Sequence, residues 1–214
     1  MLSRIFTAAM IALAALCPRA GSGGDEWPMG RGNLARTGLA ETLLPESPKR
    51  LWRFQADGAI KGGAAIARSV AYVGTDKGTL YALDLMSGEK KWEAAMGKGG
   101  IASVPAFAQG RVYAATDSGL AACFSAATGD RIWSFQTGAE IQSSPAPLGS
   151  RLLFGSYDSN LYCLDRIDGH ELWKFSADGP VHCAAGIAGG RVYIAGCDET
   201  LRAIEIETGK QVWE

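Results

Sequence analysis

Short runs in which apolar and polar residues alternate recur along the chain, separated by turns rich in glycine, aspartate and serine. In the first clear unit the alternating runs cover residues 69–75, 79–84 and 89–94, and a shorter apolar run covers 64–67. Alternation with a period of two is typical of β-strands with one buried face. No stretch of the sequence keeps a helical period of 3.6 over three turns. The pattern predicts an all-β protein built from units of four short strands, each of five or six residues.

The unit repeats with a nearly constant period. Its most visible marker is tryptophan, at intervals of 40, 41, 40 and 40 residues: Trp52, Trp92, Trp133, Trp173 and Trp213. A four-stranded antiparallel sheet cannot bury both of its faces alone, so such units stack on one another. This predicts a β-propeller with about four blades in this chain. The predicted blades cover residues 58–95, 99–136, 140–177 and 180–214.

The number of blades leaves the closure of the ring open. Four blades could be part of a seven- or eight-bladed ring, which is the interpretation we favour. They could also be half a ring completed by a second copy, or a ring of four. An open arc would leave one blade face and its apolar residues exposed at each end.

Three stretches show the common core of the unit most clearly: LYALDLMSGEKKW, LYCLDRIDGHELW and LRAIEIETGKQVW. Each has a small residue, an acid, a glycine and a tryptophan at fixed spacing. The acid is expected to accept hydrogen bonds from the turn backbone, and the glycine to supply a positive φ. The indole is expected to fill the gap between neighbouring sheets. The predicted blade-docking residues are Trp52, Trp92, Trp133, Trp173, Trp213, Asp84, Asp165, Gly88, Gly129, Gly169 and Gly209.

The second copy of this core is less regular. Aligned as Ala122, Phe124, Gly129 and Trp133, it has one additional residue and no acid, which predicts a looser turn. In the other copies Asp84 and Asp165 are interpreted as turn-fixing residues rather than general bases, because the repeat itself explains them. His170 lies in a turn and is expected to be solvated.

The spacing resembles the tryptophan-docking motif of quinoprotein, or PQQ-binding-like, β-propellers. The segment WPMGRGNLARTG, residues 27–38, is similar to the lead-in of secreted members of that superfamily. The superfamily includes PQQ-dependent alcohol and glucose dehydrogenases and the non-catalytic outer-membrane assembly lipoprotein BamB. Resemblance to the assembly-factor branch implies a non-enzymatic scaffold that binds proteins or cell-envelope polymers. The alternative that it implies is a PQQ-dependent dehydrogenase whose catalytic residues lie outside this chain.

The residues that the catalytic members use are not recognisable here. Those enzymes carry a disulfide between adjacent cysteines and a Ca²⁺ ion held by Glu and Asn near a catalytic Asp. This chain has no adjacent cysteines, and Asn33 and Asn160, its two asparagines, do not stand with a Glu in such a motif. We therefore expect no catalytic, cofactor-binding or metal-binding residues. PQQ and Ca²⁺ belong to the alternative only.

One cluster, His182, Cys183, Cys197 and Asp198, stands apart from the repeat. Pairing in an antiparallel hairpin would bring Cys183 and Cys197 roughly opposite each other. Three alternatives remain open: a possible disulfide, which fits an oxidising compartment, a metal site formed with His182, and two buried free thiols. Cys123 and Cys163 are expected to be small core residues, one position apart in register.

Charge and the first residues narrow the class of protein further. The chain carries 21 basic and 22 acidic side chains, which argues against a nucleic-acid or polybasic membrane contact. Residues 1–22 combine Arg4, a 12-residue apolar run and small residues at 20–22, the pattern of a secretory signal peptide. Residues 23–50 would be a lead-in and 51–214 the repeats. We expect an exported, periplasmic or extracellular protein without a transmembrane span, and a lipid anchor at Cys17 is disfavoured because Leu16 precedes it.

Overall fold

The computed structural model describes residues 26–40 and 46–213, and in this part of the chain every regular element is a β-strand. The strands form four antiparallel four-stranded sheets, so the predicted all-β class with four blades is confirmed. Within these residues no helix is long and apolar enough to cross a membrane. The predicted signal peptide, Cys17 and residues 23–25 lie outside the described residues.

The strands of each blade pair in chain order. Blade 1 consists of β1 (Ala65–Ala67), β2 (Val70–Gly74), β3 (Thr79–Asp84) and β4 (Lys90–Ala95). Blade 2 consists of β5 (Ala106–Ala108), β6 (Arg111–Ala115), β7 (Leu120–Ser125) and β8 (Arg131–Gln136). Blade 3 consists of β9 (Ala146–Leu148), β10 (Arg151–Gly155), β11 (Asn160–Asp165) and β12 (Glu171–Ser176). Blade 4 consists of β13 (Gly186–Ala188), β14 (Arg191–Ala195), β15 (Leu201–Glu205) and β16 (Gln211–Trp213). The first strand of each blade has three residues, fewer than the sequence predicts.

The hydrophobic core is divided into layers between consecutive sheets. The layer between blades 1 and 2 includes Tyr72, Leu80, Trp92, Val112 and Phe124. The layer between blades 2 and 3 includes Tyr113, Cys123, Trp133, Phe154 and Leu164. The layer between blades 3 and 4 includes Leu153, Leu161, Cys163, Val192 and Ile204. Blades 2 and 3 thus bury their two faces against different neighbours, which is why the unit repeats instead of folding alone.

The two ends of the blade array differ. Residues 52–56 alternate between half-buried and exposed, and Trp52 and Phe54 pack on the free face of blade 1, against Val73, Tyr81 and Leu83. At the other end, Leu201 and Trp213 of blade 4 are 49% and 54% exposed. The expectation of an exposed face at each end is therefore wrong for blade 1 and right for blade 4.

The lead-in segment, residues 26–38, runs across the innermost strands of the blades. Trp27 exchanges two backbone hydrogen bonds of 2.8 Å with Ile66 in β1. Farther along, the carbonyl of Pro28 accepts from the N–H of Phe107 in β5. The carbonyl of Leu34 accepts from the N–H of Ile187 in β13. One short segment therefore ties together blades that are far apart in sequence.

The alignment of the second copy needs a correction. Strand β7 ends at Ser125, as β3 ends at Asp84, so Ser125 takes the acid's place and Phe124 does not. The Oγ of Ser125 accepts a hydrogen bond from the N–H of Thr128, and Gly129 has a φ of 79°, close to the 74° of Gly88. The turn is as tight as its counterpart. The additional residue lies instead in the connection between β4 and β5, which is one residue longer than the next two blade connections.

The same shift removes the predicted offset between two cysteines. Cys123 is paired with Trp133 and Cys163 with Trp173, so the two occupy equivalent positions. Both are fully buried, and burial raises the pKa of both thiols, that of Cys163 to about 12.

Candidate functional site

Each described tryptophan of the repeat, up to Trp173, packs against the turn glycine of the following blade. A Cβ atom added to that glycine would lie 2.5 to 2.8 Å from the indole ring. The pairs are Trp52 with Gly88, Trp92 with Gly129, Trp133 with Gly169, and Trp173 with Gly209. These glycines have φ values between 70° and 82°, in the left-handed region that favours glycine. The glycine is therefore needed both for its backbone conformation and for the space that it leaves to the ring.

A hydrogen bond fixes the same contact. The indole Nε1 of Trp92 donates to the carbonyl of Ala126 at 3.0 Å, and that of Trp133 donates to the carbonyl of Arg166 at 3.1 Å. The Nε1 groups of Trp52 and Trp173 donate in the same way to Leu85 and Ile206. Because Trp52 already occupies the turn of blade 1, Trp213 cannot use that turn to close a ring of these four blades.

A β-bulge directly precedes every repeat tryptophan that is paired in a strand. In blade 1, Ala82 is paired with Trp92 and Leu83 with Lys90, so Lys91 has no partner in the ladder. The same irregularity occurs in the other three blades. Bulges redirect the side chains that flank them and bend the strand. Here the bulge lets the indole lean toward the next blade, while the small residue opposite leaves room for it.

The acid at the end of the third strand binds the backbone of the following turn. The Oδ1 atom of Asp84 accepts from the N–H groups of Met86 and Ser87, each at 3.0 Å, and its other oxygen pairs with Lys91 at 3.1 Å. Asp165 accepts in the same way from Ile167 at 2.6 Å. Hydrogen bonds from Ser87, with those from Lys91 and Met86, lower the pKa of Asp84 from its usual value to about 2.

We therefore expect Asp84 to titrate with a midpoint near pH 2, about two units below a free aspartate. A carboxyl whose folded pKa is depressed stabilises the fold above its unfolded pKa, and that contribution is lost as the pH falls through the folded pKa. The side-chain carboxyl shift in NMR spectra gives the midpoint. An Asp84→Asn variant should lack this transition, and a wild-type midpoint near pH 4 would contradict the turn assignment.

Two large aliphatic residues are exposed at the junction of blades 2 and 3. Ile132, the bulge residue of β8, is 45% exposed, and Ile167, in the turn that receives Trp133, is 49% exposed. The same two positions carry Lys91 and Ala127 at the first junction. At the third junction the turn position carries Glu207. The pair Ile132 and Ile167 is called the outer patch below.

Of the alternatives left open for Cys183 and Cys197, this structure shows two free thiols, which are exposed rather than buried. The ladder of β13 and β14 pairs Gly186 with Tyr193, and extended outward it would place Gly196 opposite Cys183. Cys197 is therefore one residue from direct opposition to Cys183, which agrees with the prediction that the two lie roughly opposite each other. His182 lies close to both sulfur atoms, as the cluster predicted, whereas Asp198 is bound to Arg202 at 2.7 Å.

His170 lies in the turn after Asp165, as expected, and is exposed. Its Nδ1 is 2.6 Å from Asp168, and with Asp165 these residues form a group whose atoms could meet at one point. Two turn N–H groups, those of Ile167 and Asp168, already donate to the Oδ1 of Asp165. The group is explained by the turn.

Sequence reasoning missed two buried arginines that join the blades. Arg36, in the lead-in, donates to the carbonyls of Gly30, Ser144 and Ala185, and burial lowers its pKa. Arg166 donates to the Gln109 side chain at 2.6 Å and links blade 3 to blade 2. The sequence could have indicated the burial of Arg166, because the equivalent positions in the other blades carry apolar residues.

These features define a β-propeller whose blades are joined by tryptophan docking, the architecture of the quinoprotein type. The sequence profile of the outer membrane protein assembly factor BamB matches residues 37–148 and 118–214. The chain belongs to this family, and the resemblance inferred from the repeat is confirmed. A BamB from Alteromonas naphthalenivorans is 45% identical over 51 residues, which are 24% of this chain and 12% of that protein.

Solved structures show the same fold. The crystal structure of BamB from Moraxella catarrhalis matches with a TM-score of 0.69 and 23% identity, over 76% of this chain and 54% of that one. The quinohemoprotein alcohol dehydrogenase from Comamonas testosteroni matches with a TM-score of 0.75 and 15% identity, over 88% of this chain and 40% of that one. The chain thus spans about half the length of the BamB structure.

Proposed function

We propose that this chain is a non-enzymatic scaffold of the cell envelope that binds protein partners in outer-membrane assembly. Its family supports this role, because the matching profile describes an assembly factor. The structural observation that carries the proposal is the outer patch, where two large aliphatic residues are exposed at one blade junction. Exposed apolar residues at a junction of rigid blades suit a protein contact better than a solvated surface.

The acids of the repeat support a structural rather than a catalytic role. Asp84 and Asp165 are held by turn N–H groups, and Glu205 binds the hydroxyl of Thr208 at 2.6 Å. A cleft between blades 1 and 2 has a volume of about 210 Å³ and is lined mainly by apolar residues. That is smaller than the sites that usually hold small ligands. We therefore propose that the chain acts without PQQ or Ca²⁺.

The exposed face of blade 4 indicates which kind of blade could pack next to it. Leu201 and Trp213 occupy the positions that Leu161 and Trp173 use in blade 3 to bury the next blade. Because the turn of blade 1 is filled by Trp52, another blade 1 cannot receive Trp213. We propose that a further blade of the same type, with an unoccupied turn glycine, covers this face.

The outer patch is tested by the double variant Ile132→Glu and Ile167→Glu. Two charges in the contact should lower recovery of envelope proteins cross-linked to the exported protein by at least about tenfold, because desolvating an unpaired charge is costly. Quantitative mass spectrometry of the cross-linked material measures this, and denaturation curves show whether the fold is retained.

The matched control is Ser134→Glu with Ala127→Glu. Ser134 lies on the same strand as Ile132, and Ala127 takes the place of Ile167 in the preceding turn; both are exposed. The control adds the same two charges and should leave recovery unchanged. Equal recovery from both double variants would count against the patch, and dye-linked alcohol oxidation on addition of PQQ and Ca²⁺ would count against a scaffold role.

A further inference from the structure

Two exposed thiols and an imidazole converge at the inner end of blade 4. The Nδ1 atom of His182 lies 3.8 Å from the Sγ of Cys183 and 3.9 Å from the Sγ of Cys197. The ring of Tyr157 packs edge-on against the ring of His182, with centroids 5.6 Å apart. The imidazole is therefore placed against the neighbouring blade while both sulfur atoms remain exposed to solvent.

Comparison of the blades shows that the Cys197 side chain does not make the hydrogen bond that its equivalents make in blades 1 and 2. Its equivalents in blades 1 and 2 are Asp76 and Asp117, whose carboxylates accept the backbone N–H of Ala59 at 2.9 Å and of Gly100 at 2.7 Å. In blade 4 the donor position is held by Pro180, which has no N–H. The carbonyl of Pro180 still accepts from the N–H of Cys197, so the backbone contact survives. The thiol is free for another role.

Cys183 occupies a regular backbone position of the repeat, but its side chain differs from that of the equivalent residue. Its equivalent in blade 3 is Ser143, which is buried and whose hydroxyl donates to the carbonyl of Cys183 at 3.1 Å. Cys183 itself is exposed, unlike the packed thiols of Cys123 and Cys163. The cysteines of blade 4 are therefore not explained as core residues, and both sulfur atoms lie within 4 Å of one histidine ring.

We propose that His182, Cys183 and Cys197 bind one Zn²⁺ ion. Zinc bound at about 2.3 Å by sulfur and 2.0–2.1 Å by nitrogen holds tetrahedral ligands about 3.6 Å apart. The two nitrogen–sulfur separations here exceed that by a few tenths of an ångström. The three ligand atoms do not all lie within 4.8 Å of one another, so an exposed cysteine side chain must rotate to bring the second sulfur to the ion. Three protein ligands leave the fourth position to water. Asp198 is not a ligand, because Arg202 and the Thr200 N–H occupy its carboxylate.

The test is Zn²⁺ binding by the reduced, exported chain, measured by calorimetry and by protection of the thiols against alkylation. The expected result is one tight site per chain and slow alkylation of two thiols when Zn²⁺ is present. His182→Gln, Cys183→Ser and Cys197→Ser should each weaken binding by more than about tenfold, since even changes to supporting residues cost that much. These residues are exposed or half-buried, so the variants should fold.

His170→Gln is the matched control, since His170 belongs to the one group in the described part of the chain whose potential ligand atoms all lie within 4.8 Å of one another. It should bind Zn²⁺ like the wild type. The proposal is overturned if the reduced chain binds no Zn²⁺, if the three variants bind as the wild type does, or if only His170→Gln loses binding. Isolation of the exported protein with a Cys183–Cys197 disulfide that Zn²⁺ cannot prevent would overturn it as well.

Discussion

Replacing Trp92 with alanine should lower the free energy of unfolding by about 3–5 kcal/mol, as other large-to-small changes in cores do. The indole is 9% exposed and lies between blades 1 and 2, where its ring is 5.9 Å from that of Tyr72. The substitution leaves a cavity between two sheets and removes the donor to the carbonyl of Ala126. Chemical denaturation of the purified chain gives the loss.

Lys90→Ala is the control for that experiment. Lys90 lies two residues away on the same strand, is exposed, and pairs with Glu93 at 2.8 Å on the surface. Exposed ion pairs contribute little, so the substitution should be nearly neutral. If the two substitutions were equally mild, Trp92 would not be packed between the sheets.

Gly129→Ala should cost about 3 kcal/mol, the second largest effect that we expect. Its φ of 79° would place alanine in the left-handed region, at about 1–2 kcal/mol. The new Cβ would also lie 2.8 Å from ring atoms of Trp92, so the indole or the turn must move. Overpacking of this kind typically costs a further 1–3 kcal/mol. The same denaturation experiment measures the total.

Gly110→Ala separates the two causes. Gly110 has a φ of 77°, almost that of Gly129, but a Cβ added there would have no atom within 4 Å. Only the backbone term remains, so the loss should be about 1–2 kcal/mol. Equal losses for the two glycines would mean that the indole does not press on the turn.

The blade architecture could be predicted because it follows from local sequence patterns. Alternation over five or six residues, turn glycines and a tryptophan every 40 or 41 residues require nothing from distant parts of the chain. The short first strands were overestimated because their length depends on contacts with the lead-in and with neighbouring blades. The sequence also did not show that the two ends of the blade array differ, because the covering of blade 1 by Trp52 and Phe54 is a tertiary contact.

The partner of each tryptophan could not be predicted from spacing alone. The motif places Gly88 four residues before Trp92, which suggests one local unit, yet the two belong to different contacts. Trp92 packs on Gly129, and Gly88 receives Trp52. None of the described turn glycines lies against Trp213. Long-range contacts of this type become visible only when the blades are stacked.

The cysteine cluster shows how far register can be inferred. Counting residues from the turn placed Cys183 and Cys197 roughly opposite each other, and the ladder of blade 4 has that register, with the two cysteines one residue from direct opposition. A shift of one residue in an antiparallel pair changes which side chains meet. The cluster with His182 was still identified correctly, because both cysteines flank the same end of the hairpin. Arg36 was missed because nothing in its surrounding sequence marks burial.

The central claim is that the indole of one blade rests on the turn glycine of the next, and a double-mutant cycle of Trp92→Ala and Gly129→Ala tests it most directly. With the indole removed, Gly129→Ala should cost only its backbone strain, so its effect should fall from about 3 to about 1 kcal/mol. The cycle would then give a coupling of about 2 kcal/mol between residues 37 positions apart. Additive losses, with Gly129→Ala costing as much without the indole as with it, would contradict the account.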